Sequence, residues 1–288
     1  MVKKFGAVWS CIMKENVIFR YADENFSYHH TYTKNPDPAQ FAFLSHSHNM
    51  YEIYLLISGK VEYIIEGRIF TPEPGTVMLT NKGAVHNTHI TDSGADYERR
   101  VLMFSQEFIG SEFKSLFENA SFRLSEMDLQ FVNSCMEMIE QTNRILSTGK
   151  IISSVLSALL AKFSGIFFSD CAKTPVSDEN LTVKKTVEFI NANLDKKWNL
   201  DSLENTLYLD KAYISREFKR TVGCGIWDYT IRKRVFSAQQ LMYSGKTITE
   251  AFTSSGFNDY STFYRNYKKI IGQSPSDDTK KYRQSVQK

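Results

Sequence analysis

Cysteine is scarce in this sequence, and no cysteine belongs to a paired metal-binding or redox motif. The chain of 288 residues contains four cysteines, and no two of them form a CxxC pair. This spacing argues against zinc ribbons and thioredoxin-like redox motifs and suits a reducing cytosol. We therefore expect a cytoplasmic protein.

Common catalytic motifs are also missing. The sequence has no P-loop and no GxGxxG, GxSxG or HExxH motif, so it carries no signature of an NTPase, a dinucleotide enzyme, an α/β-hydrolase or a zinc protease. An export signal is not expected either, because the apolar run after Lys3 and Lys4 ends at Lys14 and Glu15. The most apolar stretch, residues 151–168, contains Lys162, four serines and a glycine, which favours a buried or dimer-facing helix over a membrane span.

Charge is distributed unevenly along the chain. Residues 180–288 hold 19 Lys and Arg against 11 Asp and Glu, a formal charge of +8, whereas residues 1–179 hold 16 against 21, or −5. A basic half next to an acidic half indicates a polyanionic partner for one domain only. Surface solubility explains the charge equally well when charge is considered alone.

The first third of the chain has the pattern of short strands. Tyr51–Ile57, Val61–Ile65 and Val77–Leu79 are apolar, aromatic or β-branched runs, and Gly59, Gly67 and Gly75 mark the turns between them. Turn signals every eight to ten residues predict a β-sandwich or barrel.

From about residue 105 to 169 the apolar period becomes helical. Ile151, Val155, Leu159 and Phe163 recur four apart, and a similar pattern runs from Phe131 to Ile139. These helices either pack on the barrel or form a dimer face, and the pattern fits both. Residues 172–180 are polar, contain a proline and lack periodicity, so we expect an interdomain linker there.

An internal repeat is the most informative feature. Residues 210–223 align without gaps on residues 259–272. Both copies begin with Asp, a good helix N-cap, and end with Gly, the usual helix stop. The fifth, ninth and thirteenth positions are apolar or aromatic and share one face, and the seventh is Arg in both copies. Each copy follows a shorter helix, and residues 226–243 predict one long helix between the two units. A short helix, a tight turn and a basic helix make a helix-turn-helix unit.

The pattern Leu203, Phe218-Lys219 and Gly223, followed by Gly256-Phe257, Phe263, Tyr267-Lys268 and Gly272-Gln-Ser-Pro275, resembles the DNA-binding domain of the AraC/XylS family over residues 181–283. The resemblance implies two sets of contacts with double-stranded promoter DNA. The base-reading positions are Lys211, Ala212, Ser215 and Arg216 in the first unit and Tyr260, Ser261, Tyr264 and Arg265 in the second. Phosphate contacts are expected from Lys219, Arg220, Lys268 and Lys269.

The second unit departs from the family pattern. Ala251-Phe252 stands where the family usually has Ile-Ala, and the aromatic-Arg pair after the final Pro is displaced to Tyr282-Arg283. The leading helix of this unit is therefore weakly apolar, and we expect the second unit to dock more loosely than the first.

A second motif precedes this region. His46, His48 and Glu52 are followed by Gly59, Gly75, Gly83 and His86, which resembles the cupin motifs and the sensor domain that often precedes AraC-type DNA-binding domains. We expect His46 and His48 to alternate on one strand and share a face with Glu52. His46, His48, Glu52, Tyr54 and His86 are the predicted effector pocket, with Tyr51 and Tyr63 near its mouth.

Three interpretations of this motif remain open. The residues bind a small polar effector without a cofactor, hold a divalent metal through His46, His48, Glu52 and His86, or serve as satisfied polar groups of the core. The metal alternative would make the chain a metal sensor or a cupin enzyme fused to a DNA-binding domain.

Together these patterns predict two domains: an N-terminal cupin-like β-barrel or jelly roll with flanking helices, and a C-terminal all-α domain with two helix-turn-helix units. The expected boundaries are residues 1–115 for effector binding, 116–171 for dimerising helices, 172–180 for the linker and 181–288 for DNA binding. The resemblance implies a homodimeric, non-enzymatic regulator that responds to a sugar or related metabolite and activates transcription with RNA polymerase.

Overall fold

The N-terminal domain consists of two antiparallel sheets, as the short strands predict. The structure, a computed structural model, describes residues 16–36, 45–92, 94–119, 121–142, 148–168 and 180–286. Its strands are β1 (Asn16–Ala22), β2 (Phe26–Thr33), β3 (Tyr51–Ser58), β4 (Val61–Ile65), β5 (Arg68–Phe70), β6 (Thr76–Thr80), β7 (His86–Ile90), β8 (Tyr97–Phe104) and β9 (Ser121–Arg123). The larger sheet has the order β1-β2-β8-β3-β6-β9 and the smaller sheet the order β5-β4-β7.

Helices predominate after β8, and they are the only regular secondary structure in the described part of the C-terminal domain. They are α1 (Leu116–Asn119), α2 (Glu126–Gln141), α3 (Thr148–Phe168), α4 (Leu181–Ala192), α5 (Leu200–Leu207), α6 (Lys211–Val222), α7 (Ile226–Tyr243), α8 (Ile248–Ser254), α9 (Tyr260–Ile271) and α10 (Pro275–Val286). The expected linker lies outside the described residues, except for Asn180, which caps α4.

The helices α2 and α3 share a core with the larger sheet. Ile139 of α2 and Phe163 of α3 are fully buried in the same apolar cluster as Ile53 of β3 and Leu102 of β8. The strand β9, which precedes α2, also pairs with β6. The expected boundary at residue 115 therefore does not separate two cores, and the described residues from 16 to 168 form one packed unit.

The helix α3 is long and apolar enough to cross a membrane by length and composition alone. Its apolar side chains Ile152, Leu156, Leu159 and Phe163 are buried against α2 and the larger sheet. Core helices of globular domains have the same composition, so the helix is accounted for by packing.

Alternation along β3 divides its side chains between two cores. Tyr51 and Ile53 point towards the helices, and Tyr51 stacks on Phe104 with ring centroids 5.7 Å apart. Glu52 and Tyr54 point the other way, into the space between the two sheets. Successive side chains of a strand face opposite sides, so the prediction that Tyr51 lies near the pocket mouth is wrong.

A buried ion-pair network fastens α2 to the larger sheet. Nε2 of His30 lies 2.7 Å from a carboxylate oxygen of Glu98, and its Nδ1 lies 3.0 Å from Glu140. Glu140 also accepts a hydrogen bond from the Tyr28 hydroxyl at 2.6 Å. Burial lowers the pKa of His30, but Glu140 and Glu98 outweigh burial and raise it above its ordinary value.

This network predicts a pH-dependent stability. A raised pKa in the folded state means that protonated His30 stabilises the fold below its unfolded-state pKa, and that this contribution is lost as pH rises through the folded-state pKa. We expect His30→Gln to lower the free energy of unfolding by roughly 2 kcal/mol at pH 6. The fall in the free energy of unfolding between pH 6 and pH 8.5 should be smaller in this variant than in the wild type. Urea unfolding of the full-length chain measures both, with His89→Gln as the control; an unchanged pH slope in His30→Gln would contradict the assignment.

The C-terminal domain contains two helix-turn-helix units on either side of α7. Ile214, Phe218 and Val222 of α6 pack with α4 and α7 in one core, whereas Phe263 and Tyr267 of α9 pack with α7 and α8 in another. The predicted caps are confirmed. The side chains of Asp210 and Asp259 accept backbone hydrogen bonds at the starts of α6 and α9, and Gly223 and Gly272 end these helices with φ of 78° and 87°.

Candidate ligand pocket and nucleic-acid interface

A pocket opens between the two sheets of the N-terminal domain. The larger sheet contributes side chains from β1, β2, β3 and β8, and the smaller sheet contributes them from β4 and β7. The lining residues are Arg20, His29, Thr31, His46, Glu52, Tyr54, Tyr63, His86, Thr88, Arg99 and Val101. Four of the five predicted effector residues are among them, and the fifth, His48, contacts Glu52.

The carboxylate of Glu52 is the centre of the pocket's polar end. It lies 3.0 Å from Nε2 of His48 and 3.5 Å from Nε2 of His86, and it accepts a hydrogen bond from the Tyr63 hydroxyl at 2.7 Å. Burial raises the pKa of Glu52, but the imidazoles of His86 and His48 outweigh it and hold the pKa well below its usual value. Glu52 is therefore a buried carboxylate, 3% exposed, that stays ionised.

The three histidines converge by a route that differs from the predicted one. His46 forms an isolated backbone bridge with His86, with N–O distances of 3.0 and 2.9 Å, and the chain then bends at Asn49 and Met50 before β3 begins. His46 and His48 are thus not on one continuous strand, and the expected alternation is wrong for this segment. The bend nevertheless brings their rings within 5.9 Å of each other and within 4.3 and 5.0 Å of the His86 ring.

The opposite end of the pocket is basic, and sequence reasoning missed it. Arg99 of β8 is 6% exposed and donates from Nε to the Thr31 hydroxyl at 3.3 Å. Arg20 of β1 donates from Nε to Nδ1 of His29 at 3.0 Å. One signal was available, because Arg99 and Arg100 directly precede the apolar run from Val101 to Phe104 in the same strand, and a charged residue in such a strand is rarely buried without a role.

The predicted base-reading residues lie on the outer faces of the two recognition helices. Lys211, Ala212 and Arg216 of α6 are exposed and Ser215 is half-buried. Tyr260, Ser261, Tyr264 and Arg265 of α9 are all exposed. In both helices the apolar face packs inward, so the side chains that remain outside are those an α-helix would present to a major groove. Their contacts with bases stay a prediction.

The expected phosphate-contacting residues form the basic ends of the same helices. Lys219, Arg220, Lys268 and Lys269 are exposed in the last turns of α6 and α9. Arg220 is engaged within its own helix, where its Nη2 lies 2.7 Å from the Glu217 carboxylate. A phosphate would therefore have to compete with Glu217 for Arg220, whereas the three lysines extend from exposed positions.

A buried aspartate that sequence reasoning missed organises the second unit. Asp278 of α10 is 3% exposed and accepts hydrogen bonds from Gln239 and Tyr243 of α7 at 2.8 and 2.9 Å. The Tyr267 hydroxyl of α9 donates to it at 2.5 Å, and Gln273 donates at 2.6 Å. The leading helix α8 is also well anchored, with Ala251 fully buried and a capping box between Thr247 and Glu250.

The pocket and the first recognition helix are joined through adjacent residues. Ser45, next to His46, donates its hydroxyl to the carbonyl of Val222 at the end of α6. Asn87, next to His86, donates from its side-chain amide to the same carbonyl at 3.3 Å and to the Ser45 hydroxyl at 2.8 Å. A Cβ on Gly223 would lie 2.7 Å from the Ser45 hydroxyl oxygen, so only glycine fits this junction without displacement.

A second junction lies beside the first. The carboxylate of Glu66, in the turn between β4 and β5, accepts a hydrogen bond from the Tyr229 hydroxyl at 2.5 Å and lies 2.9 Å from Nζ of Lys233. Val85 of the N-terminal domain is 1% exposed because it enters the apolar core formed by α4, α6 and α7.

Comparisons with known proteins match both the N-terminal and the C-terminal domain to described families. A family model described as the AraC-like ligand binding domain matches residues 19–163, and one described as a helix-turn-helix domain matches residues 203–281. The probable transcriptional regulator LumQ of Photobacterium leiognathi is 24% identical over 232 residues, which are 80% of this chain and 90% of that protein. The HTH-type transcriptional activator RhaS of Yersinia pseudotuberculosis is 22% identical over 253 residues, 83% of this chain and 89% of that protein. Among solved structures, apo ToxT from Vibrio cholerae is 15% identical, with 90% of this chain and 98% of that one covered and a TM-score of 0.40.

A two-sheet ligand-binding domain joined to paired helix-turn-helix units defines a transcription regulator with separate ligand-binding and DNA-binding domains. The chain belongs to the AraC family, since the ligand-binding model alone covers about half of it and the helix-turn-helix model covers most of the remainder.

Proposed function

We propose that this regulator is a cytoplasmic homodimer that binds a small-molecule effector in its barrel pocket, changes its affinity for promoter DNA and activates transcription together with RNA polymerase. The relatives, which are regulators and include a named activator, support a role without catalysis. The observation that carries the proposal is the junction between the pocket and α6. His46 and His86 line the pocket, and their neighbours Ser45 and Asn87 hold the end of the recognition helix.

The junction gives effector binding a direct route to DNA binding. A ligand that displaces the bridged backbones of His46 and His86 also moves the two side chains that hold Val222. Packed interfaces switch between discrete arrangements and do not deform smoothly, so a small shift at the pocket is enough to release or reposition α6. The ligand shifts the equilibrium only by its differential affinity for the two arrangements.

The dimer is supported by an exposed apolar face on α2. Met127, Phe131 and Met138 are 74%, 40% and 54% exposed. Phe131 and Met138 belong to the apolar pattern expected for this helix, whereas Val132 and Met136 of the same pattern are buried. Large apolar side chains grouped on one helix face are typical of an interface.

Removing the junction provides the test. Because Ser45 and Asn87 hold the end of α6 against the pocket, we expect the double variant Ser45→Ala/Asn87→Ala to change the DNA affinity at least about threefold without ligand and to respond less to any effector. Fluorescence anisotropy of the full-length chain on a DNA site selected from a random library measures the affinity. Ser58→Ala, which loses a hydroxyl hydrogen bond elsewhere in the domain, is the control. An affinity equal to that of the wild type would count against the proposed route.

A specific observation favours a second candidate function, the sensing or use of a divalent metal. The imidazole nitrogens of His46, His48 and His86 lie within 4.8 Å of one another, with the Glu52 carboxylate beside them. Three imidazoles and one carboxylate suit zinc, iron or manganese. Metal analysis of the full-length chain after dialysis against zinc or manganese tests this. One equivalent that is lost in His48→Ala and kept in His89→Ala would support a metal site, and no bound ion in the wild type would exclude it.

A further inference from the structure

Cationic side chains outnumber carboxylates among the described residues that line the pocket. Among the described lining residues, two guanidinium groups, those of Arg20 and Arg99, accompany one carboxylate, that of Glu52. Glu52 is already surrounded by His48, His86 and the Tyr63 hydroxyl. The two arginines lie at the end of the pocket away from Glu52, since Arg99 pairs with Leu56, four residues further along β3.

Strand pairing explains why the two arginines share this end. Arg20 of β1 lies opposite His29 of β2, and Arg99 of β8 lies opposite Thr31 of β2. His29 and Thr31 are two residues apart, so their side chains face the same side of the sheet. Both arginines flank these two side chains on the face that lines the pocket.

The pKa of His29 is also affected by the two arginines. Burial and the cations of Arg20 and Arg99 together lower the pKa of His29 to about 4. The imidazole is therefore neutral at pH 7, and its Nδ1 accepts the Arg20 hydrogen bond while its Nε2 lies 2.7 Å from the Ser27 hydroxyl. Cations that contribute to suppressing the protonation of a neighbouring base would also stabilise an anion placed beside them.

We propose that the effector is a small hydroxylated organic anion, whose carboxylate or phosphate binds at Arg20 and Arg99 and whose hydroxyl groups bind at the Glu52 end. Guanidinium groups suit both anions because they present paired donors to two oxygens. Glu52 and the histidines offer acceptors and donors for hydroxyls, and Tyr54 and Tyr63 provide the apolar walls usual in a small-molecule site. This assignment rests on the proposed effector-binding function and names its ligand class.

The experiment compares matched compounds on the full-length chain. Glycerol, glycerate and glycerol 3-phosphate form one set, and glucose, gluconate and glucose 6-phosphate form another. Thermal denaturation and isothermal titration calorimetry measure binding, and the carboxylate and phosphate arms identify the anion that is used. We expect at least one anion to raise the Tm and its neutral partner to have no effect.

Variants of the two arginines test whether their charge, and not only the fold of the domain, determines the anion's affinity. Arg99→Gln is expected to weaken the anion's affinity at least tenfold, and Arg99→Lys is expected to restore part of it. Arg20→Gln removes the other guanidinium group at the same end of the pocket. Because Arg20 is exposed, this variant replaces Arg99→Gln if Arg99→Gln does not fold. Arg123→Gln, an exposed arginine whose partner is Glu73 on the same domain, is the matched control and is expected to bind like the wild type.

The outcomes distinguish this assignment from the function on which it rests. No stabilising anion in either set, or a neutral compound that binds equally to the wild type and Arg99→Gln, would overturn the anion assignment. A neutral compound that also changes DNA affinity would leave the effector function standing. An anion whose binding depends on Arg99 but leaves DNA affinity unchanged would confirm the site and contradict the proposed regulation.

Discussion

Replacing Arg216 with alanine is expected to weaken binding to the selected DNA site by roughly 10- to 100-fold, while binding to random-sequence DNA changes little. Arg216 is exposed on the outer face of α6, where its guanidinium can donate two hydrogen bonds to O6 and N7 of guanine. Such a bidentate contact contributes about 1–3 kcal/mol of discrimination. Fluorescence anisotropy of the full-length chain on both DNAs gives the two affinities.

Lys219→Ala is the matched control for this experiment. Lys219 lies one turn further along the same helix and carries the same charge, but it is assigned to a phosphate. Its loss should weaken binding to both DNAs by similar factors. The slope of log K against the logarithm of the salt concentration should become shallower by roughly one. If Arg216→Ala behaved in the same way, Arg216 would belong with the phosphate contacts.

Replacing Asp278 with alanine is expected to loosen the whole second helix-turn-helix unit. The substitution leaves the hydroxyls of Tyr243 and Tyr267 and the amides of Gln239 and Gln273 without their shared acceptor. Each buried hydrogen-bonding group that is left without its acceptor costs about 1–3 kcal/mol. Hydrogen–deuterium exchange should accelerate in α9 and α10 and remain unchanged in α6.

The neighbouring Asp277 provides the comparison. Asp277 is exposed and bonds only locally, to Ser274 at the start of α10, so Asp277→Ala should leave the exchange of α9 near the wild-type rate. Equal protection of α9 in the wild type and Asp278→Ala would show that the apolar contacts of Phe263 are sufficient to hold the unit.

The helix ends of the two helix-turn-helix units were predictable because their signals are local. Asp210, Gly223, Asp259 and Gly272 set the helix ends through interactions that span four residues or fewer. Residues 226–243 were expected as one helix, which is confirmed by α7. Asp278 was missed because its partners are up to 39 residues away.

The pocket was predictable only in part, because some of its residues come together through the pairing of distant strands. His46, Glu52, Tyr54 and His86 belong to one recognisable motif, and the structure brings them together. Arg20 and His29 lie on the consecutive strands β1 and β2, whereas Arg99 comes from β8, far along the sequence. They become neighbours because β2 lies between β1 and β8, an order that no local pattern encodes.

The coupling between the pocket and the recognition helices is measured by the affinity of the full-length chain for its selected DNA site, with and without the compound that stabilises the chain most in the thermal screen. We predict a change of roughly fivefold or more at saturating ligand, the usual size of an allosteric coupling. An affinity that stays the same while the ligand saturates the pocket would contradict this coupling.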